Sequence, residues 1–403
     1  MISLETALYS LRNLNKRKAR SFLTILSIFV GIATIFIFIS FGYGLYNYVE
    51  ELSQGASTDK LIIQARGANT IPGLDDTFKL TEDDIEVVER TSGVIEATGV
   101  AFKIAEAEYR EQKKYVFMIA LDPANKMMFE IGDIELESGR LLRPSDNNKV
   151  LLGYNYKVPN AIFEKPIVIN DKIELNGNEL RVVGFLESIG NPQDDAQLYV
   201  TSDYFDEIYG KNNYSFGWII ARVGVEDIDR TIEKVEDNLR DFRNQEEGKE
   251  DFFVQSFQDM IETYSSALNI VVGFVILIAL ISVIVSTINT ANTMITSVLE
   301  RYKEIGIMKA VGAKNSEIFG IFLFESGFLG FIAGVIGVLL GWIISLLAGS
   351  ILASLGWSFL SPYFSYELFI GLILFATITG AISGVIPALT ASKTNTVDAL
   401  RYE

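Results

Sequence analysis

Thr263–Leu299 reads TYSSALNIVVGFVILIALISVIVSTINTANTMITSVL, 37 residues without a charged side chain. As a helix it would rise about 55 Å, against roughly 30 Å of bilayer hydrocarbon, so it is expected to cross a membrane and emerge on both sides. Three more such stretches lie around it. Ser21–Leu45 is uncharged for 25 residues, too long for a signal-peptide core and followed by no small-residue cleavage pattern, which reads as a retained anchor. Ile318–Leu352 and Leu368–Pro387 complete a set of four spans.

Basic residues set the expected orientation. Arg12, Lys16, Arg17, Lys18 and Arg20 precede the first span, and Arg301, Lys303, Lys309 and Lys314 lie between the second and third. Both segments should face the cytoplasm. The turn between the third and fourth spans has no Lys or Arg but carries Trp357, Phe359, Tyr363, Phe364 and Tyr366, as an outer interfacial belt would. The chain is therefore expected to sit in the cell membrane as a multi-pass protein with both termini inside. Its layout has spans at 21–45, 266–299, 317–353 and 368–390, an extracytoplasmic domain at 46–265, a cytoplasmic loop at 300–316, an external turn at 354–367 and a cytoplasmic tail at 391–403. In residues 1–20, Leu4, Leu8, Leu11 and Leu14 repeat at helical spacing, which suggests an amphipathic helix on the inner leaflet or simply a topology determinant.

A connection as long as 46–265 must fold. Thr81 with Asp84 looks like a capping box opening a helix through Ile85 and Val88, after a strand at Leu61–Ile63. Ile228, Ile232, Val235 and Leu239 mark a second helix, flanked by strands at Gly217–Val223 and Phe252–Gln255. Between these, Asn176-Gly177 is a strong hairpin signal within Ile167–Leu186. The fold class is thus four transmembrane helices plus a large mixed α+β domain between the first and second. That domain is expected as outer halves at about 46–120 and 216–257 with an inserted β-rich subdomain at about 121–215.

The formal net charge of −17 arises entirely within residues 46–265, the rest of the chain being slightly basic, which disfavours nucleic acid as a partner. With no Cys and no His, thiol nucleophiles, disulfides, imidazole bases and the usual zinc ligands are excluded. The Asp75-Asp76 and Asp194-Asp195 pairs read as loop carboxylates, and no metal site is expected.

Within the apolar stretches Ser21–Leu45, Thr263–Leu299, Ile318–Leu352 and Leu368–Pro387 the one charged side chain is Glu325, near the cytoplasmic end of the third. It is either an interfacial residue or a proton carrier, and an ion-coupled carrier would need more. Gly327, Gly330, Gly334, Gly337 and Gly341 draw a stripe down the third span, with Gly380 and Gly384 in the fourth. Such stripes let backbones approach closely, within the subunit or at a dimer seam. Pro387 is expected to end or kink the last span.

The cytoplasmic segment Glu300-Arg301-Tyr302-Lys303-Glu304-Ile305-Gly306-Ile307-Met308-Lys309-Ala310-Val311-Gly312-Ala313 reads as a short amphipathic turn. Ile305, Met308 and Gly312 share a face, while Arg301, Lys303, Glu304 and Lys309 can reach solvent or a partner. Gly312 is placed to stop the helix and Ser316 to cap the next one. Periodicity alone also allows a generic interfacial loop.

This segment resembles the hallmark of ABC-transporter permeases of the macrolide-exporter (MacB), lipoprotein-releasing (LolC/LolE) and FtsX-like type. The resemblance extends over nearly the whole chain. It takes in Leu11-Arg12-Asn13-Leu14 and Arg20-Ser21-Phe22-Leu23, then Ser138-Gly139-Arg140-Leu141-Leu142, Val150-Leu151-Leu152-Gly153 and Arg181-Val182-Val183-Gly184, and the tail from Pro387-Ala388 to Ala399-Leu400-Arg401. Asn395-Thr396 stand where the family commonly has Asp-Pro. The resemblance implies a MacB-type periplasmic core domain, a dimer with a second permease copy or paralogue, and two copies of a cytoplasmic ABC ATPase. It implies that Glu300, Arg301, Glu304, Gly306, Lys309 and Gly312 contact that ATPase. ATP would be bound by the partner, because the chain has no Gly-x4-Gly-Lys-Ser/Thr loop, so no cofactor and no catalysis are expected here. Membrane lipids and an extracytoplasmic accessory protein complete the implied partners. Two functions stay open under the resemblance: export of a substrate met at the outer face, or FtsX-like activation of an external hydrolase without transport. A membrane-anchored enzyme or adhesin is the reading outside it.

Overall fold

A computed structural model describes residues 18–55, 59–66, 79–211 and 213–401. The readings made for residues 1–17 and for Asp75-Asp76 lie outside those residues. Contacts divide the chain into two units, one of residues 1–46, Ala267–Leu352 and Leu360–Glu403, the other of Asn47–Ser266 and Ala353–Phe359.

The first unit is helical. Its long helices are α1 (Lys18–Gly55) and α6 (Phe257–Glu300), both of which continue into the second unit's residues, α8 (Asn315–Ser354) and α9 (Tyr366–Ser392). Among the described residues four helices are long and apolar enough to cross a membrane. They are Ile28–Glu50, Phe257–Glu300, Asn315–Ser354 and Tyr366–Ser392. Pro387 does not end the fourth; it lies inside α9, which runs on to Ser392. Its missing N–H removes the one bond that would run back to the Ser383 carbonyl, a loss the rest of this 27-residue helix outlasts. Ile28, Ile32, Phe36, Ala333, Leu372 and Ala376 form one buried cluster. Ser40 joins α1 to the segment before α9, its Oγ donating to Tyr363 O at 3.0 Å and its carbonyl accepting from Tyr363 N at 2.9 Å.

The second unit is a mixed sheet of ten described strands. In chain order these are β1 (Lys60–Ala65), β2 (Val94–Tyr109), β3 (Gln112–Leu121), β4 (Leu136–Gly139), β5 (Lys149–Leu152), β6 (Lys172–Leu175), β7 (Asn178–Leu186), β8 (Leu198–Thr201), β9 (Trp218–Val223) and β10 (Phe252–Ser256). The spatial order is β10-β1-β9-β2-β3-β8-β5-β7-β4, with β6 pairing β2 and β7. Helices α2 (Glu82–Glu89) and α5 (Ile228–Phe242) arise where the sequence places them. Asp84 accepts from the Thr81 amide at 2.7 Å, so the capping box closes α2 at its start. Val88, Val235 and Leu239 from the two helices are buried with Leu61, Ile63 and Ile219 of the sheet. The Asn176-Gly177 turn has φ of 47° and 84° between the paired residues Leu175 and Asn178, the two-residue geometry that matches strand twist.

The first half of β2 pairs with β9 from Val94 to Val100, and its second half pairs with β3 from Ala101 to Tyr109. β2 thus joins the two sets of pairings, and β3 pairs with its second half, so the strand pairing changes partners at Val100/Ala101. One continuous strand serves both parts, so no turn marks the change.

Asp194 and Asp195 are loop carboxylates with defined work. Asp195 accepts from Ser188 Oγ at 2.7 Å and Ile189 N at 2.8 Å, and Asp194 from Asn191 Nδ2 at 2.7 Å and Gln197 Nε2 at 2.8 Å. Burial, with Asp195 beside it, pushes the Asp194 carboxyl up. Asp146 is also buried, accepting from Arg140 and Lys149 at 2.5 Å each and from the Arg143 amide at 3.0 Å. Burial alone would raise its pKa, but these donors outweigh it and hold the carboxyl well below the usual carboxylate range.

Candidate coupling site

Glu300 closes α6 and Tyr302 opens α7 (Tyr302–Ala310), so a single residue, Arg301, separates them. Its amide donates back to Val298 O at 3.2 Å and Ser297 O at 3.3 Å and its carbonyl accepts from Ile305 N at 3.0 Å, so backbone hydrogen bonding continues across the break. The side chain turns inward and is only 3% exposed. Nη1 donates to Glu325 Oε2 at 2.9 Å, and the guanidinium carbon lies 5.1 Å from the centroid of the Phe322 ring. Glu325, at 7% exposure, and Phe322 stand less than one turn apart on α8. A buried guanidinium needs a paired anion and a polarisable face to offset its desolvation, and α8 supplies both.

Along α7 the apolar side is sealed by Ile305, fully buried with Met294, Val298, Ile318 and Phe322. Gly306 faces α10 (Thr396–Arg401), where a Cβ would stand 2.7 Å from the Ala399 Cβ, so the residue type permits the approach. Lys309 donates to Ser392 O at 2.8 Å and Thr394 O at 2.7 Å, satisfying the carbonyl of the last α9 residue and one just past it with a cation at the negative end of the helix dipole. The helix then stops in a Schellman turn: Gly312 N donates to Lys309 O at 3.1 Å, Ala313 N to Met308 O at 3.0 Å, and Gly312 has φ of +110°.

Two sequence expectations change here. Arg301 and Lys309 do not reach outward; both side chains are engaged inside the chain. Ser316 does not cap α8, which begins at Asn315; Glu317 does that work by accepting from the Lys314 amide at 2.9 Å. Of the other residues singled out, Glu300, Glu304 and Gly312 are exposed and Gly306 is buried. The outward face of α7 is completed by Lys303, Ile307 at 50% and Val311 at 87% exposure, the last two not marked by the sequence reading. Glu325 was visible as a lone intramembrane charge, but nothing local tied it to Arg301.

The glycine stripe lies against neighbouring helices of the same chain. A Cβ on Gly330 would stand 2.5 Å from Ala376 O, on Gly334 2.8 Å from the Ala376 Cβ, on Gly337 2.8 Å from Phe29 O, and on Gly341 2.9 Å from the Phe36 Cβ. Gly327 has more room, with Ala381 at 3.6 Å. The stripe thus contacts α9 with its first part and α1 with its last.

The model described as FtsX-like permease C-terminal matches residues 276–396, and that described as MacB-like periplasmic core domain matches residues 21–240. An uncharacterized ABC transporter permease of Methanocaldococcus jannaschii is 30% identical over 98% of this chain and 97% of its own length. The chain belongs to the MacB/FtsX-like family of ABC transporter permeases. Membership implies a partner ATPase, and with the four apolar helices it makes the chain a multi-pass membrane protein. The ABC transporter permease YknZ of Bacillus subtilis is 26% identical over the full length of both chains. The macrolide export ATP-binding/permease protein MacB of Bdellovibrio bacteriovorus is 26% identical, and the match covers 97% of this permease but 61% of that protein. Among solved structures, the periplasmic region of MacB from Actinobacillus actinomycetemcomitans is similar at 17% identity and a TM-score of 0.42, covering 54% of this chain and 97% of that one.

Proposed function

We propose that this permease carries the mechanical effect of ATP hydrolysis by a separate cytoplasmic ATPase to its extracytoplasmic domain, driving export of a substrate met at the outer face. The chain binds no nucleotide and catalyses nothing itself. It works as a dimer with two ATPase copies, both termini inside, and an accessory protein can continue the path outward.

The observation that carries this reading is α6. It is unbroken for 44 residues, beginning directly after β10 of the sheet and ending at the break before α7. At 1.5 Å per residue it is about 66 Å long, twice what the hydrocarbon requires. A continuous helix resists compression and bending over such a length, because every turn would have to break hydrogen bonds to yield.

The test uses the complex with its ATPase in lipid nanodiscs. Because the chain has no Cys, a spin label at Tyr115→Cys reports the external domains without background. ATP should shift the label-to-label distance, and a Gly-Ser-Gly insertion after Ser266 should abolish the shift while the ATPase stays bound. An unchanged shift in the insertion variant, or no shift in the parent, counts against the reading. ATP hydrolysis stimulated by a transported substrate supports export; activation of a bound external hydrolase without transport would move the chain to the signal-transducer class.

A further inference from the structure

The family resemblance assigns Arg301 and Lys309 to the ATPase, yet the structure uses both internally, at opposite ends of α7. At the first end Arg301 reaches Glu325 and Phe322 on α8. At the other Lys309 holds the carbonyls of Ser392, the last residue of α9, and of Thr394 just beyond it. Between them Gly306 lies against Ala399 of α10. By contrast, the covalent link from α7 back to α6 is a single residue with φ of −100° and ψ of 11°, outside the helical range.

We propose that the Arg301–Glu325 pair is a lock that makes α7, α8 and α9 one rigid lever, with α6 pivoting against it at Arg301. Arg301 and Glu325 are positioning residues. Force received on the exposed face of α7 reaches α8 through the ion pair and leaves through Arg301 into α6. Glu325 sits ten residues into α8, about 15 Å along its axis, so the contact resists tilting of α7 against α8 far better than one at the connecting loop could. A charged pair in this position needs a reason, because a Leu and a Met would fill the space without desolvation. A lock supplies one, since it tolerates only one relative placement of the two helices, whereas apolar side chains slide.

The inference rests on the coupling role proposed above, and its test separates the two. Nitroxide pairs at Lys303→Cys with Leu339→Cys, and at Lys303→Cys with Ile288→Cys, report α7 against α8 and α7 against α6. In the chain alone, Glu325→Gln should broaden the α7–α8 distance distribution, and exchanging the charges in Arg301→Glu/Glu325→Arg should narrow it again. Glu325→Ala serves as a second variant if Glu325→Gln destabilises the fold. In the complex, ATP should move the α7–α6 pair and leave the α7–α8 pair fixed, and Glu325→Gln should cut ATP-driven movement of the external domain about 10-fold, within the usual range of coupling between sites, without loss of bound ATPase. An α7–α8 distance that changes with ATP in the parent, or that is indifferent to Glu325→Gln, overturns the lock. If the lock behaves as expected but the external domain never moves, the lock stands and the coupling role fails.

Discussion

Asp146 is a buried carboxylate in a chain that already carries a formal net charge of −17, and the two cations it faces are what keep it ionised. Its pKa is depressed in the folded domain relative to roughly 3.9 in an unfolded chain. Folding therefore gains from this group fully above about pH 4, and the gain is lost as the pH falls from there toward the folded value. The expected outcome is that protection of the β5 amides from hydrogen exchange, corrected for intrinsic rates, declines between pH 5 and pH 3 in the parent chain. Asp146→Asn should be flat over that window and less stable at neutral pH by about 2 kcal/mol, the scale of hydrogen bonds to a charged group. Equal pH dependence in parent and variant would remove Asp146 from the account. Arg301 is the same physics in a drier place, where the anion comes from a different helix.

At the level of elements, α7 has an inward face made of Ile305 and Gly306 and an outward face where Ile307 and Val311 stand exposed between Lys303, Glu304 and Lys314. Exposed apolar side chains on a short helix between two membrane spans suit a partner surface. Val311→Asp should lower co-purification of the ATPase about tenfold with the chain still folded, the cost of burying a carboxylate in an apolar contact, while Lys303→Ala should leave it nearly unchanged. Equal retention by Val311→Asp and the parent in a pull-down titration would place the contact elsewhere. What could be read from sequence follows the same division between local and distant. The capping box at Thr81, the Asn176-Gly177 turn and the stop at Gly312 are each decided within four residues, so their signals are complete in the sequence. The Arg301–Glu325 pair spans 24 residues and a change of helix, and β2 passes from one set of partners to the other at Val100/Ala101 with no interruption. Neither leaves a local mark, so the sequence alone shows neither the inward turn of Arg301 nor the change of partners inside β2.

For the molecule as a whole, orientation is the quantity on which transport direction depends, and it rests on where the charges lie. Acidic residues weigh little in setting topology, so the many carboxylates of residues 46–265 do not decide the side on which that segment lies; clustered Lys and Arg beside a span weigh much more. The basic groups flank the first span at its start and fill the loop between α6 and α8, so residues 46–265 should lie outside and Lys314 inside. The absence of Cys makes this directly measurable in intact cells. A membrane-impermeant maleimide should label Tyr115→Cys at once and Lys314→Cys only after permeabilisation. Labelling of Lys314→Cys from outside would invert the chain, put the face of α7 beyond the reach of a cytoplasmic ATPase and remove the basis for coupling through α6. Labelling in the expected pattern fixes the direction in which the lever acts, from a cytoplasmic α7 toward an external sheet.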